Sequence, residues 1–108
     1  MSEKNTIITE EKLDKYSKLS KTALLKAKPV KGLILESLKV AEIYLDMAKR
    51  YIGDADHFRE KGMYVEAYGA LNYAHAWLDA GAIIGIFDVD GDNILFTQDA
   101  SEHKHLRK

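Results

Sequence analysis

The chain of 108 residues contains no cysteine. Without cysteine there is no disulfide framework, no thiolate nucleophile and no cysteine-based zinc site, and a reducing cytosol is the natural compartment. The first residues also lack the basic region and apolar region of a signal peptide, so we expect a cytoplasmic protein. A chain of this length is expected to form one domain around a single hydrophobic core.

Positive charge is absent from a long part of the chain. Residues 63–100 contain six Asp and Glu but no Lys or Arg, whereas residues 1–31 contain eight Lys and only four Asp and Glu. Clustered lysines are what contacts with nucleic-acid phosphates require. They are also typical of the solvated face of an amphipathic helix, and we favour that interpretation.

Three helical segments are separated by proline and glycine. Thr9 can cap the first helix, Pro29 stops it, and Gly62 suits a left-handed cap at the end of the second. The predicted helices span about residues 9–28, 31–61 and 63–87, followed by a short turn and tail over residues 88–108. This pattern predicts an all-α fold, a three-helix antiparallel bundle with up-down-up order.

The third predicted helix is apolar or small at nearly every position from Met63 to Phe87. Such a helix is typically wrapped by other helices, and it exceeds the needs of one small bundle. We therefore expect a homo-oligomer or a helical protein partner. Asn72, His75 and Asp79 lie in the middle of the segment, and the cost of a charged group there argues against insertion into a membrane. The aromatic residues Tyr73 and Trp77 could line a ligand pocket, but their helical spacing favours a place in the core.

A polar seam runs along the same helix at spacings of four, three and four residues. It consists of Tyr68, Asn72, His75 and Asp79. A histidine and a carboxylate on one face can bind a metal or act as a general base. In an antiparallel hairpin about Gly62, however, His75 would lie near Lys49 and Arg50, and nearby cations disfavour a metal. We expect no metal or cofactor and favour an ion pair between Asp79 and one of these cations.

A second candidate is the pair Arg50 and His57, separated by six residues. This spacing resembles the motif of small helical ribonucleases of the HEPN superfamily, and the resemblance implies RNA binding or cleavage. In that family the motif lies near the end of the last helix, whereas here it lies in the second. Asp54 and His57 could coordinate a metal, but no matching Glu-x-x-His pair occurs on another helix.

Four aspartates after the third helix match positions 1, 3, 5 and 12 of a calcium-binding loop. They are Asp88, Asp90, Asp92 and Asp99. Position 6 is Asn93 rather than glycine, and the last ligand is a short Asp rather than a Glu, so we favour an acidic reverse turn. Residues 94–96, Ile-Leu-Phe, can then fold back over the end of the bundle.

The stretch 68–81, together with 85–88 and 95–97, resembles a family of short archaeal proteins catalogued as domain of unknown function 357. The similarity extends back to about Val30. The resemblance implies an archaeal origin and a small all-helical fold. The family carries no established activity, so no catalytic residue can be transferred. Its motif residues include Asn72, His75, Trp77 and Asp79, three of which belong to the polar seam.

The first functional hypothesis is a non-enzymatic protein-interaction or self-association module. The alternative is an RNA-binding or RNA-cleaving helical domain that uses Arg50, His57 and the lysines of the first helix. A third hypothesis is a small-ligand or metal site at His75 and Asp79.

Overall fold

The computed structural model describes residues 6–96. They form, in chain order, α1 (Glu10–Lys26), β1 (Lys28–Pro29), α2 (Leu35–Glu60), α3 (Tyr64–Ile84) and β2 (Phe87–Asp88). Contacts join the start of α1 to the start of α3 and the segments that follow these two helices to each other, so α1 runs parallel to α3 and antiparallel to α2. The predicted all-α, up-down-up bundle is therefore confirmed. Asp99 and the rest of the predicted tail lie outside the described residues.

The start of α1 follows the prediction. Thr9 Oγ1 accepts a hydrogen bond from the backbone N–H of Lys12 at 3.1 Å, which satisfies one of the free amides of the first turn. Ile8, just before the cap, packs against the core cluster that contains Leu13. The helix ends at Lys26 rather than at residue 28, because the next residues pair with the segment after α3.

Because of this pairing, α2 begins later in the chain than predicted. β1 and β2 pair antiparallel, and the N–H of Val30 continues the pairing by donating to the carbonyl of Ile86 at 2.9 Å. A turn at Gly32, with φ of +83°, then leads into α2. The helix begins at Leu35, so the predicted start at residue 31 is wrong, and Ile34, just before the helix, is exposed.

Left-handed glycines end both α2 and α3. At Gly62, with φ of +75°, the following N–H of Met63 bonds back to the carbonyl of Phe58, as the sequence predicted for a capped reversal. Gly85, with φ of +85°, does the same for α3, and Ile86 N–H donates to a carbonyl one turn back. The predicted end at residue 87 is therefore three residues too late.

The core consists of two clusters that are rich in alanine, which lets the helices approach closely. The cluster near the α2–α3 reversal contains Leu13, Ala55, Ala67 and Leu71. The larger cluster, at the other end, contains Ala23, Ala27, Ala41, Ala48, Leu78, Ala82, Ile86, Phe87, Val89 and Phe96. Phe96 is only 1% exposed, whereas Ile94 is 90% exposed. The segment over residues 94–96 therefore covers the end of the bundle mainly through Phe96.

α3 contributes the largest set of buried residues, but it is not wrapped on all sides. Val65, Tyr73 and Ile84 are exposed, because α1 and α2 occupy only part of the circumference of this helix. The helices of this chain therefore enclose α3 only in part. Among residues 6–96, no helix combines the length and the apolar character needed to cross a membrane.

Candidate functional site

The polar seam faces α1 rather than α2. The hydroxyl of Ser20 on α1 lies 3.4 Å from His75 Nδ1, and both residues border a small cavity between the two helices. The predicted placement of His75 beside Lys49 and Arg50 is wrong. Equal distances from the α2–α3 reversal set the level of a residue along the hairpin, but they do not set which side of the helix it occupies.

His75 joins three segments of the fold. Its Nε2 lies 2.6 Å from the carbonyl oxygen of Leu95, and since a carbonyl only accepts, Nε2 carries a proton and donates it. In the neutral ring, Nδ1 then accepts the hydroxyl proton of Ser20. Asp79 Oδ1 lies 3.7 Å from Nε2. Because both ring nitrogens form hydrogen bonds, His75 links α1, α3 and the segment after β2.

The remaining seam residues continue this junction. The ring of Tyr68 meets that of Tyr16 edge-on, with centroids 5.3 Å apart, and the ammonium of Lys12 lies 5.0 Å from the centre of the Tyr68 ring. Asn72 is exposed and borders the cavity next to His75. The seam therefore connects α3 to α1 through an aromatic contact, a cation–π contact and a histidine hydrogen bond.

Arg50 and His57 do not converge on a common site. Arg50 Nε pairs with Asp46 Oδ2 on the same helix at 2.8 Å, and this contact replaces the predicted ion pair with Asp79. The two residues are seven positions apart along α2, roughly 10 Å, and both are exposed. Within residues 6–96, no group of three or more histidine and carboxylate side chains could hold a metal.

The aspartates after α3 build a turn. Asp88 accepts the backbone N–H of Asp90, and Asp90 itself has a positive φ of 56°. Asp92 accepts the N–H of Leu95 at 2.9 Å and pairs with Lys26 at 3.0 Å. The hydrogen bond from the Leu95 N–H has the largest effect and lowers the pKa of the Asp92 carboxyl. The hydrogen bond from Lys26 lowers this pKa further. The acidic side chains thus cap the backbone, as the turn interpretation expects.

One polar cluster was missed in the sequence. Arg59, near the end of α2, contacts Glu10 Oε2 at 2.6 Å and Asp14 Oδ1 at 2.5 Å, both on α1. The Tyr64 hydroxyl also donates to Glu10. This bond and the guanidinium of Arg59 lower the pKa of Glu10, while the carboxylate raises the pKa of Tyr64. The sequence did contain a signal for this cluster. The first turn of α1 is acidic, and the last turn of α2, which lies beside it in an antiparallel pair, contains Arg59.

An open cleft lies between α2 and α3. Its volume is about 680 Å³, and we call it the aromatic cleft. Its lining residues are Tyr51, Asp54, Phe58, Glu66, Gly69, Ala70, Asn72, Tyr73 and Ala76. The rings of Tyr51 and Tyr73 meet across the cleft with centroids 4.5 Å apart. Burial is the main cause that raises the pKa of the Tyr51 hydroxyl, and the neighbouring Tyr73 raises it further. The cleft combines apolar walls with few polar groups, which is the usual composition of a binding site.

Exposed apolar residues extend this cleft along both helices. Ile43 on α2 is 56% exposed, and Tyr73 and Ile84 on α3 are 52% and 57% exposed. Helical spacing places them on the side that carries the aromatic cleft. We call this surface the α2/α3 face.

The sequence prediction of a core position is wrong for Tyr73. Trp77 is partly buried and meets Tyr44 at 5.0 Å, and its indole N–H finds no acceptor among residues 6–96.

Comparison with known proteins places this arrangement in a family. The family model described as protein of unknown function (DUF357) matches residues 15–87, which include the polar seam and the aromatic cleft. No curated protein and no solved structure matches the chain at a significant level. The family resemblance predicted from the sequence is confirmed. The chain therefore belongs to the DUF357 family, whose function is unknown.

Proposed function

We propose that this protein is a non-enzymatic protein-interaction module that docks an amphipathic helix on the α2/α3 face. The observation that carries the proposal is the exposure of Ile43, Tyr73 and Ile84 along two adjacent antiparallel helices. Large apolar side chains exposed along one side of a helix pair are typical of interaction sites. Its burial by a partner contributes roughly 25 cal/mol for each Å² removed from water.

The shape of the α2/α3 face suits a helix. Two antiparallel helices form a groove between them, and a further helix packs into such a groove in a four-helix bundle. Gly69 and Ala76, on the exposed side of α3, present little side-chain bulk, and no atom lies within 4 Å of the position that a Cβ of Gly69 would occupy. A docked helix can therefore approach the α3 backbone closely.

Synthetic peptides can test helix docking directly. A peptide of about 18 residues, roughly 27 Å long as a helix, would carry a leucine stripe and no tryptophan. Trp77 is the only tryptophan of the chain, and its ring centroid lies 6.4 Å from that of Tyr73, so its fluorescence reports on this part of the α2/α3 face. We expect a saturable change that Tyr73→Glu abolishes. Leu25→Glu, at an 81% exposed site on α1, is the matched control and should bind normally. Absence of binding by the wild-type protein would refute the proposal.

Self-association through the same face is tested separately. A second copy also carries apolar helices that could occupy the groove. Sedimentation velocity over a wide concentration range measures whether the protein dimerises. Dimers that Tyr73→Glu dissociates, while Leu25→Glu does not, would identify a second copy as an occupant. A concentration-independent monomer would exclude a second copy as the occupant of the face.

The RNA-binding alternative remains a prediction from sequence, and the geometry supports it less well. Arg50 pairs with Asp46, and two lysines of α1 are also paired, Lys21 with Asp56 and Lys26 with Asp92. These contacts reduce the positive charge available to phosphates. The test is fluorescence anisotropy with a single-stranded RNA at low salt. Affinity that falls steeply with salt would support this function, and no affinity at low salt would remove it.

A further inference from the structure

The charged side chains that line the aromatic cleft are all negative. Asp54 projects from α2 and Glu66 from α3, so carboxylates flank the cleft from both helices. Within residues 6–96, neither carboxylate forms an ion pair. α3 cannot supply a cation, because no Lys or Arg occurs in residues 63–100.

Aromatic rings line the same cleft. Tyr51 and Phe58 line the α2 side of the cleft, and Tyr73 lines the α3 side. Aromatic faces attract a cation that lies within about 6 Å of the ring centre. A cleft that combines such rings with flanking carboxylates is complementary to a positively charged group on an apolar stem, as in the side chains of lysine and arginine.

The junction of α1 with α2 and α3 shows the same chemistry with its cations in place. There the Lys12 ammonium lies 5.0 Å from the Tyr68 ring centre, and Arg59 binds Glu10 and Asp14. Tyr68 of α3 and two carboxylates of α1 are thus matched by basic residues at this junction. The aromatic cleft presents comparable groups where no helix of the described chain covers them.

We infer that the aromatic cleft selects a basic partner, an amphipathic helix that places a lysine or arginine against the contacting ring pair of Tyr51 and Tyr73, near Asp54 and Glu66. The inference rests on the proposed helix-docking function and adds the chemistry of the partner. Aliphatic residues of the same helix would cover Ile43 and Ile84 farther along the α2/α3 face.

A second copy of this chain fits the cleft less well. Face-to-face docking would bring the α2/α3 faces of two molecules together, and each carries Asp54 and Glu66 without a basic residue on α3. Arg50, at the outer edge of α2, is already paired with Asp46. The basic helix α1 is packed in the bundle through its own apolar residues. A separate basic protein therefore matches the charge of the cleft better than a second copy.

Three peptides with the same leucine stripe test this inference. Their polar faces carry lysine, glutamine or glutamate, and Trp77 fluorescence measures each dissociation constant at low and at moderate salt. We expect the lysine peptide to bind about tenfold more tightly than the glutamine peptide, and the glutamate peptide to bind most weakly. The advantage of lysine should shrink as salt rises.

Two double variants locate the selectivity. In Asp54→Asn with Glu66→Gln, the preference for lysine should fall to about twofold or less. Glu42→Gln with Glu60→Gln removes the same charge from exposed sites of α2 outside the cleft and should preserve the preference. Sites this exposed tolerate such substitutions without loss of the fold.

The possible failures can be told apart. Equal affinity for the three peptides would leave helix docking intact and overturn selection of a basic partner. A lysine preference that persists in the cleft double variant would also overturn the inference, since the charge would then be recognised elsewhere. Failure of every peptide to bind would refute the docking function on which the inference rests.

Discussion

Gly81 and Phe87 are in such close contact that a methyl group on Gly81 would lie 2.1 Å from Cε2 of the Phe87 ring. Gly81 lies in the last turns of α3, and Phe87 follows the left-handed reversal at Gly85. Both residues are buried. The absence of a side chain at Gly81 therefore allows the segment after α3 to fold back onto the helix.

Gly81→Ala should destabilise the protein by about 1–3 kcal/mol, because the buried ring has to move to accommodate the new methyl group. Gly53→Ala is the matched control. Gly53 is exposed on α2, and no atom lies within 4 Å of the added Cβ. We therefore expect the free energy of unfolding to rise by about 0.4–1 kcal/mol. Urea denaturation measures both changes. A stabilising Gly81→Ala would show that Phe87 does not pack there.

Phe96→Ala should cost about 3–5 kcal/mol of unfolding free energy, since the side chain is 1% exposed and belongs to the larger core cluster. Ile94→Ala, two residues earlier and 90% exposed, should change stability by no more than about 0.5 kcal/mol. Thermal and urea unfolding distinguish the two. Equal effects would mean that residues 94–96 do not seal the bundle end.

His75→Ala should destabilise the protein by about 1–3 kcal/mol, because the carbonyl of Leu95 and the hydroxyl of Ser20 lose their partner. Amide hydrogen exchange should then accelerate selectively at residues 92–96. Asn72→Ala, an exposed substitution on the same seam, serves as the control and should leave this exchange unchanged. Uniform acceleration throughout the chain would instead indicate a general loss of stability.

Acid should destabilise the junction between α1 and α2. The pKa of Glu10 is lowered from its ordinary value of 4.5 by Tyr64 and Arg59, so its stabilising contribution is present above pH 4.5 and lost as the pH falls below that value. Glu10→Gln should flatten the acid limb of a plot of melting temperature against pH. Glu11→Gln, at an exposed neighbour, should keep the wild-type profile. Identical profiles for both variants would exclude Glu10 as the source.

The raised pKa of Tyr64 acts at the opposite end of the pH range. Its contribution is present below the ordinary pKa of 10.0 and is lost as the pH rises through the higher value in the folded protein. Tyr64→Phe removes the hydroxyl that donates to Glu10, so the alkaline limb of the melting curve should become flatter. An unchanged alkaline limb would show that this bond is absent in solution.

Local signals in the sequence predicted the parts of the fold that depend on neighbouring residues. Thr9 caps α1 and Gly62 ends α2, because caps and left-handed turns are determined by a few adjacent residues. The pattern of apolar spacing likewise predicted three helices. By contrast, Gly85 resembled the other glycines of an apolar helix, and the cap that it forms was missed.

The candidate site was predicted only as a set of residues on one helix. The spacing of Tyr68, His75 and Asp79 indicated a shared face, but which neighbour covers that face depends on how α1 docks. The same reason explains the missed contacts of Arg59. Exposure of Tyr73 could not be predicted either, since a composition typical of an enclosed helix also suits a helix with one side left open to a partner.

The β1–β2 pair also bears on the order in which the protein folds. Lys28 pairs with Asp88, so the closed loop between them contains both α2 and α3. Closing such a long loop is entropically costly, whereas the α2–α3 reversal brings together residues that are close in sequence. We expect the α2–α3 hairpin to form first in kinetic experiments and the strand pair to close last. The aromatic cleft, built from α2 and α3 alone, would then arise early and be exposed to a partner before folding is complete.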